Sequence, residues 1–206
     1  METILVDIDG VLVSGRPQDG AHLFTDLERD LGIPLARLQS EFFALRWPAI
    51  VTGRKPLLPE LTEVLATLAP AVSAETLIDY WFRNDSRIDR SVLAAIVALR
   101  RQGRRVYLAT NQEHMRATYL MKEMGLERHV DGMFYSAAIG YRKPDEEFYR
   151  YVAAAVETPP KRTVLIDDTE ANVMAARAFG WQAVHWSAGM DLIDQLGLNS
   201  LQNQLG

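Results

Sequence analysis

The chain contains no cysteine. That excludes disulfides, thiolate catalysis and a cysteine-ligated zinc site, and nothing ties the fold to an oxidising compartment. No stretch approaches the roughly 18 uncharged apolar residues of a membrane-spanning helix. Met1-Glu2-Thr3 leads straight into an apolar run, with neither a basic segment nor a long apolar one before it, so no leader is expected and the cytoplasm is the expected compartment. Runs of like charge are missing too, and a formal net charge of -5 offers no broad attraction for nucleic acid or an anionic membrane. An anionic substrate would therefore need local positive charge. The chain also lacks internal repeats and low-complexity tracts, and residues 199–204 read as a frayed polar tail. What remains is 206 residues with 48% hydrophobic content, enough for one domain with a real core or one domain carrying a sizeable insertion.

The apolar pattern is that of an α/β protein. After a first strand at Ile4-Leu5-Val6, residues from about 90 onward alternate between helix-period segments and short apolar runs, as in a parallel sheet built from βαβ units. Four further strands are expected at 105–109, 132–135, 163–167 and 182–186, each buried on both faces, with helices at roughly 90–101, 114–124, 145–156 and 170–179. Gly103, Gly125 and Gly180 stand where those helices should stop. Between the first strand and residue 90 there is no convincing strand, only helical stripes: Phe24/Leu27/Leu31, Leu35/Leu38/Phe42/Leu45, Leu61/Val64/Leu65/Leu68 and Leu77/Ile78/Trp81/Phe82. A structureless loop of that length is implausible in a compact domain, so residues 15–87 are expected to form an inserted all-helical bundle, and 1–14 with 88–206 the doubly wound core.

Polar residues fall at the ends of the predicted strands, where an open parallel sheet forms its ligand crevice. In Asp7-Ile8-Asp9-Gly10 two carboxylates follow an apolar strand. If the chain stays extended, Asp7 and Asp9 point the same way, and Gly10 lets the backbone turn aside. Asp7 can serve as a nucleophile, although an Asx-type turn with solvated acids would read the same. The second strand runs into Thr110-Asn111-Gln112, a hydroxyl, an amide and turn N–H groups suited to phosphoryl oxygens, or a plain helix cap. The third is followed by Arg142-Lys143-Pro144-Asp145, where Pro144 is expected to start a helix and Lys143 either reaches inward or is a surface charge. The fourth ends in Asp167-Asp168-Thr169-Glu170-Ala171-Asn172, whose adjacent acids repel unless a cation such as Mg²⁺ or Lys143 sits between them.

Taken in order, Asp-x-Asp-Gly, Thr-Asn, Lys-Pro and Asp-Asp-x-x-x-Asn closely resemble the four motifs of the haloacid dehalogenase-like hydrolase superfamily, and the insertion after the first motif resembles the helical cap of its subclass I. The pattern is most similar to small bacterial sugar-phosphate phosphatases. The resemblance implies Mg²⁺-dependent hydrolysis of a small phosphorylated metabolite through an aspartyl-phosphate. In that scheme Asp7 is the nucleophile, Asp9 the acid and then the base, and Lys143 a catalytic and phosphate-binding cation, with Thr110 and Asn111 holding the transferring oxygens. Mg²⁺ would be held by the carboxylates of Asp7 and Asp168 and the backbone carbonyl of Asp9, with Asp167 orienting that shell and Asn172 supporting the loop. The need for positive charge follows from Coulomb's law, since a phosphate beside carboxylates at 4 Å meets about 4 kcal/mol of repulsion per charge pair at an effective dielectric of 20.

Other readings stay open at this level. Dehalogenases of the family lack the second acid, so Asp9 argues for phosphate chemistry; a phosphomutase would need a cap acid-base element that the sequence does not identify. A phosphoacceptor receiver module also combines acids, Thr and Lys at strand ends, but places its acid pair first and carries no helical insertion. A non-catalytic scaffold would not be expected to keep every acid together with Lys143. Specificity is expected from the insertion, with Arg46, Trp47, Arg54 and Trp81 as candidates, although Trp81 lies on an apolar stripe that suits core packing, Trp47 suits core and a platform for stacking a sugar ring equally, and both arginines suit the surface. His185 and Trp186 end the last strand and are expected to pack. Oligomeric state is not legible.

Overall fold

A computed structural model describes residues 2–197. The expected polar tail at 199–204 lies outside the described residues. Five parallel strands, β1 (Thr3–Val6), β2 (Arg105–Thr110), β3 (Gly132–Tyr135), β4 (Thr163–Asp167) and β5 (Gln182–His185), form one sheet in the order β3-β2-β1-β4-β5. The chain returns to opposite sides of β1, so the crevice of an open α/β sheet opens above the C-terminal end of that central strand.

Alternation along β1 explains why it is central. Ile4 and Val6 point to one face and pack with Val92, Ile96 and Leu99 of a helix at Arg90–Arg101, while Leu5 points to the other, against Phe148 and Val152 of a helix at Glu146–Val156. With both faces covered, β1 and β4 are entirely buried. The edge strands depart from the expectation of burial on both faces: β3 is half-buried throughout, and β5 exposes Gln182 and His185. Each has a neighbour on one side only, and its outward residues meet solvent. Gly103, Gly125 and Gly180 all take positive φ after helical segments.

Between β1 and the second strand the chain forms α1 (Leu27–Leu31), α2 (Leu35–Leu38), α3 (Trp47–Ile50), α4 (Leu57–Leu68), α5 (Ala74–Asn84) and α6 (Arg90–Arg101). The first five, with a π-helical turn at Gln39–Phe43, bury a cluster of their own, including Leu27, Leu38, Phe42, Leu61, Leu65, Leu77 and Trp81. Leu45 does not join it, although the stripe through Leu35, Leu38 and Phe42 predicts that it should; it is 76% exposed. The π-helical turn at Gln39–Phe43 widens the winding there and rotates the following residues off the buried face. The two passages of chain between sheet and bundle run antiparallel, with Val13 bridged to Ile88, Ser14 N donating to Arg87 O at 3.0 Å and Asp89 N to Leu12 O at 2.8 Å.

The second half adds α7 (His114–Thr118), continued by a π-helical turn at Tyr119–Glu123, then α8 (Ser136–Ile139), α9 (Glu146–Val156), α10 (Glu170–Ala178) and α11 (Leu192–Gln195). The short α8 was not expected between the third strand and Lys143. Pro144 precedes α9 rather than starting it, because Asp145 takes the N-cap position and Arg142 O accepts from Asp145 N at 2.7 Å. No helix among the described residues is long and apolar enough to cross a membrane.

Candidate active site

Register alone brings the acids together. Val6 pairs with Ile166, so the next residues, Asp7 and Asp167, lie side by side at the sheet's C-terminal edge, where Asp7 N donates to Ile166 O at 2.9 Å. Beyond Asp7 the chain does not stay extended, contrary to the expectation that places Asp9 by strand alternation. Ile8 O accepts from Leu12 N at 2.9 Å and Val13 N at 2.8 Å, coiling the chain back, with Gly10 at φ +76 inside the turn. A side chain at Gly10 would fall on Asp168 Oδ2. Glycine is required there both by the backbone and by the close approach of the fourth-motif loop. Asp9 is held from across the crevice by Gln112, whose Nε2 donates to Asp9 Oδ2 at 2.5 Å.

Lys143 is not a surface charge. At 2% exposure its Nζ lies 2.5 Å from Asp167 Oδ2 and 3.0 Å from Asp7 Oδ2, and donates to Ala109 O at 2.7 Å. Burial pulls its pKa down, but Asp7 and Asp167 outweigh that and hold it above the usual lysine value. The cation therefore sits between Asp7 and Asp167, rather than between the adjacent Asp167 and Asp168. Both oxygens of Asp167 are taken: Oδ2 by Lys143, and Oδ1 by Thr169 N and Asn172 Nδ2, each at 2.9 Å. Asn172 is itself fixed by Tyr149, whose hydroxyl donates to Asn172 O at 2.9 Å. Asp7, Asp167 and Asp168 each bring a potential ligand oxygen within 4.8 Å of the others.

Crowding of acids in a poorly solvated crevice raises their affinity for protons. Burial pushes Asp7 up to about 7 against the opposing pull of Lys143. Burial also raises Asp9 to about 6, with Asp85 adding to the rise and Arg116 and Gln112 opposing it. Asp168 is raised by burial and by the charge of Asp167. Hard oxygen donors that resist ionising together are a donor set suited to a small divalent cation, which would hold them ionised.

The two second-motif residues have different environments. The amide of Asn111 closes on the lysine loop, Nδ2 donating to Lys143 O at 2.9 Å and Oδ1 accepting from Lys143 N at 2.8 Å. It braces Lys143 and keeps the second N–H of its amide, so bracing the lysine loop and donating to a phosphoryl oxygen are compatible. Thr110 Oγ1 is buried and has no partner, so the hydroxyl is free for a ligand.

A cavity of about 600 Å³ opens from Asp9, Asn111 and Gln112 into the helical bundle, lined there by Phe24, Phe43, Trp47 and Trp81 among others. Of the expected specificity residues, Trp47 and Trp81 line it. Arg46 instead pairs with Glu60 at 2.8 Å and Glu63 at 2.7 Å, and Arg54 Nε donates to Thr52 Oγ1 at 2.9 Å; both are satisfied within the bundle. His185 Nε2 meets the backbone carbonyl of Asp168 at 2.9 Å, and Trp186 packs in the core.

Residues 1–180 match the family model described as haloacid dehalogenase-like hydrolase. The chain belongs to that family. A phosphoglycolate phosphatase of Cupriavidus necator is 30% identical over 184 residues, covering 86% of this chain and 77% of the relative. A sesquiterpene phosphatase of Aspergillus oryzae is 37% identical over 100 residues, 48% of this chain, so the match spans half the length of that relative. Among solved structures, a haloacid dehalogenase family enzyme from Bacteroides thetaiotaomicron superposes with a TM-score of 0.80 at 19% identity, covering 95% of this chain and 98% of that one; its complex with magnesium and inorganic phosphate gives 0.78.

Within this haloacid dehalogenase-like site, three polar residues escaped sequence reasoning in their present roles. Gln112 holds Asp9. Arg116 is 1% exposed and pairs with Asp85 at 3.2 Å, its guanidinium also 5.3 Å from the Phe82 ring centroid. Asp85 precedes α6 and Arg116 lies on α7, so only the folded chain joins them. The available signal was indirect: Arg116 falls one turn along the helix that starts after Thr110-Asn111-Gln112, on the side facing the insertion.

Proposed function

We propose that this chain is a Mg²⁺-dependent phosphomonoesterase acting on a small phosphorylated metabolite, with residues 15–87 serving as a cap over the site formed by 1–14 and 88–206. The observation that carries the reading is the seating of a buried Lys143 between Asp7 and Asp167, with the orphaned hydroxyl of Thr110 ending the neighbouring strand β2. It is a site for an anion next to a carboxylate nucleophile.

Asp7 attacks phosphorus, forming an Asp7–phosphorus bond as the ester P–O bond breaks. Asp9, raised to about 6, gives its proton to the departing alcohol oxygen. A water then attacks the aspartyl-phosphate, losing its proton to Asp9; the Asp7–phosphorus bond breaks and both acids return to their starting states. The anhydride is more labile than the ester, so one hard step becomes two easier ones. Lys143, its three donors turned to Asp7, Asp167 and the Ala109 carbonyl, lends positive charge beside the transferring oxygens; Thr110 and the second N–H of Asn111 bind those oxygens, Asn111 also fixes Lys143, and Gln112 fixes Asp9. Magnesium, held by the carboxylates of Asp7 and Asp168 and the Asp9 carbonyl, would supply positive charge against that of the phosphate. Asp167, with both oxygens committed, supports Lys143 and the loop carrying Asp168. The relatives named as phosphatases support this reading, as does the Bacteroides enzyme's complex with magnesium and phosphate.

The test is steady-state hydrolysis of a generic aryl phosphate with Mg²⁺, with EDTA, and by the Asp7→Asn variant. Turnover that needs the metal and disappears in Asp7→Asn supports the reading; turnover that persists in Asp7→Asn overturns it.

A further inference from the structure

The cavity that begins at Asp9 has an aromatic wall. Four rings meet there from four separate segments: Phe24 ahead of α1, Phe43 in the π-helical turn, Trp47 at the start of α3 and Trp81 in α5. They support one another with centroids 5.9 Å apart for Phe24 and Phe43, 5.7 Å for Phe43 and Trp47, 5.4 Å for Phe43 and Trp81 and 5.3 Å for Trp47 and Trp81. Such a wall is pre-formed, because each ring restrains the next. Of the polar side chains that also line the cavity, Asn111 is engaged with the Lys143 backbone, Gln112 with Asp9, and Arg116 with Asp85 and the carbonyl of Phe82, while Ser14, His22 and Gln39 complete the lining. Sugar hydroxyls laid on the four ring faces would find no partner there, whereas a hydrocarbon body would replace water on the rings without that penalty.

Position fixes which part of a substrate lies there. Asp9 borders the strand-end site on one side and the aromatic cavity on the other. If, as proposed above, Asp9 protonates the departing oxygen, the carbon attached to that oxygen enters the cavity. We infer that the leaving group is an apolar alcohol, seated against Phe24, Phe43, Trp47 and Trp81. The inference rests on the phosphomonoesterase reading and adds the class of ester to it.

The experiment compares kcat/KM, with Mg²⁺ present, for naphthyl phosphate, decyl phosphate, glucose phosphate and adenosine monophosphate. Decanol is as poor a leaving group as a sugar hydroxyl, so an advantage for its ester reports binding rather than intrinsic reactivity. The expected result is that decyl and naphthyl phosphate both exceed glucose phosphate and adenosine monophosphate by about tenfold or more, the scale on which apolar pockets discriminate. Trp47→Leu should then lower kcat/KM for decyl phosphate by a larger factor than for glucose phosphate, narrowing the gap between them, and Phe43→Leu serves if that variant does not fold. Glucose phosphate or adenosine monophosphate matching decyl phosphate overturns the inference, and so does an advantage for naphthyl phosphate alone. Turnover of all four with the wrong order leaves the phosphomonoesterase reading standing. Failure on every ester by a folded, Mg²⁺-binding protein removes that reading and this inference together.

Discussion

Replacing Lys143 by methionine keeps the length and bulk of the side chain but removes the positive charge lying between Asp7 and Asp167. Breaking a buried pair in this way, leaving an uncompensated carboxylate behind, costs about 3–5 kcal/mol. For a chain of this size each kcal/mol moves Tm by about 2–4 °C, so metal-free Lys143→Met should melt roughly 6–20 °C below the parent at about pH 8. The pH dependence separates charge from packing. Asp7 is already raised to about 7 by burial and is restrained by Lys143, so without the lysine it binds its proton more tightly still. The folded variant then holds more protons than the folded parent, and falling pH favours it. The deficit should therefore be largest above about pH 7 and shrink toward about pH 5. Thermal unfolding in EDTA across that range is the assay. A variant as stable as the parent at about pH 8, or a deficit that grows on acidification, would refute the reasoning.

Other perturbations divide binding from stability. Thr110→Val exchanges an unpartnered buried hydroxyl for an isosteric methyl, so Tm should hold or rise while kcat/KM falls by about 10- to 150-fold, the equivalent of a 1.5–3 kcal/mol hydrogen bond to a charged group; unchanged kinetics would remove Thr110 from the site. Mg²⁺ affinity should weaken as pH falls below about 7, because Asp7 must shed a proton to bind the ion, and calorimetry in buffers of different ionisation heat should show proton release. Affinity that is flat across that range would contradict the raised Asp7. Arg116→Met strands the burial-raised Asp85 and should cost about 3 kcal/mol in denaturant unfolding, whereas Arg46→Met, which removes a partly exposed guanidinium shared with the exposed Glu63 and with a Glu60 that Lys55 still holds, should cost clearly less. Equal losses would show that burial is not what sets them.

The sheet was legible because β1, β2 and β4 are short apolar runs ending in polar residues, and because parallel register does the rest. Once Val6 pairs with Ile166, Asp7 and Asp167 are neighbours without further specification. Lys143 was legible as a candidate only through the company of the other motifs, since a lysine before a proline says nothing by itself about burial. Less could be read where a residue's partner comes from a distant loop. The sequence shows Asn111 only as a candidate for phosphate and not that its amide also holds a backbone segment 32 residues away; Gln112 meets Asp9 across 103 residues. Local anomalies were hidden as well. A π-helical turn that displaces Leu45 leaves no mark in apolar periodicity, and the aromatic wall looked like core because a preformed pocket is lined by the same residues that fill one.

The account stands or falls on a phosphoryl group bound to Asp7. The measurement that tests it most directly is acid quench of the Asp9→Asn variant during turnover of an aryl phosphate with Mg²⁺, followed by mass spectrometry of the peptide that contains Asp7. Without the base that activates water, the intermediate should accumulate, and a phosphoryl mass increase should map to Asp7 and be absent from an Asp7→Asn, Asp9→Asn double variant. Turnover in which that peptide never gains the mass, or a phosphoryl group mapping to another residue, would contradict it.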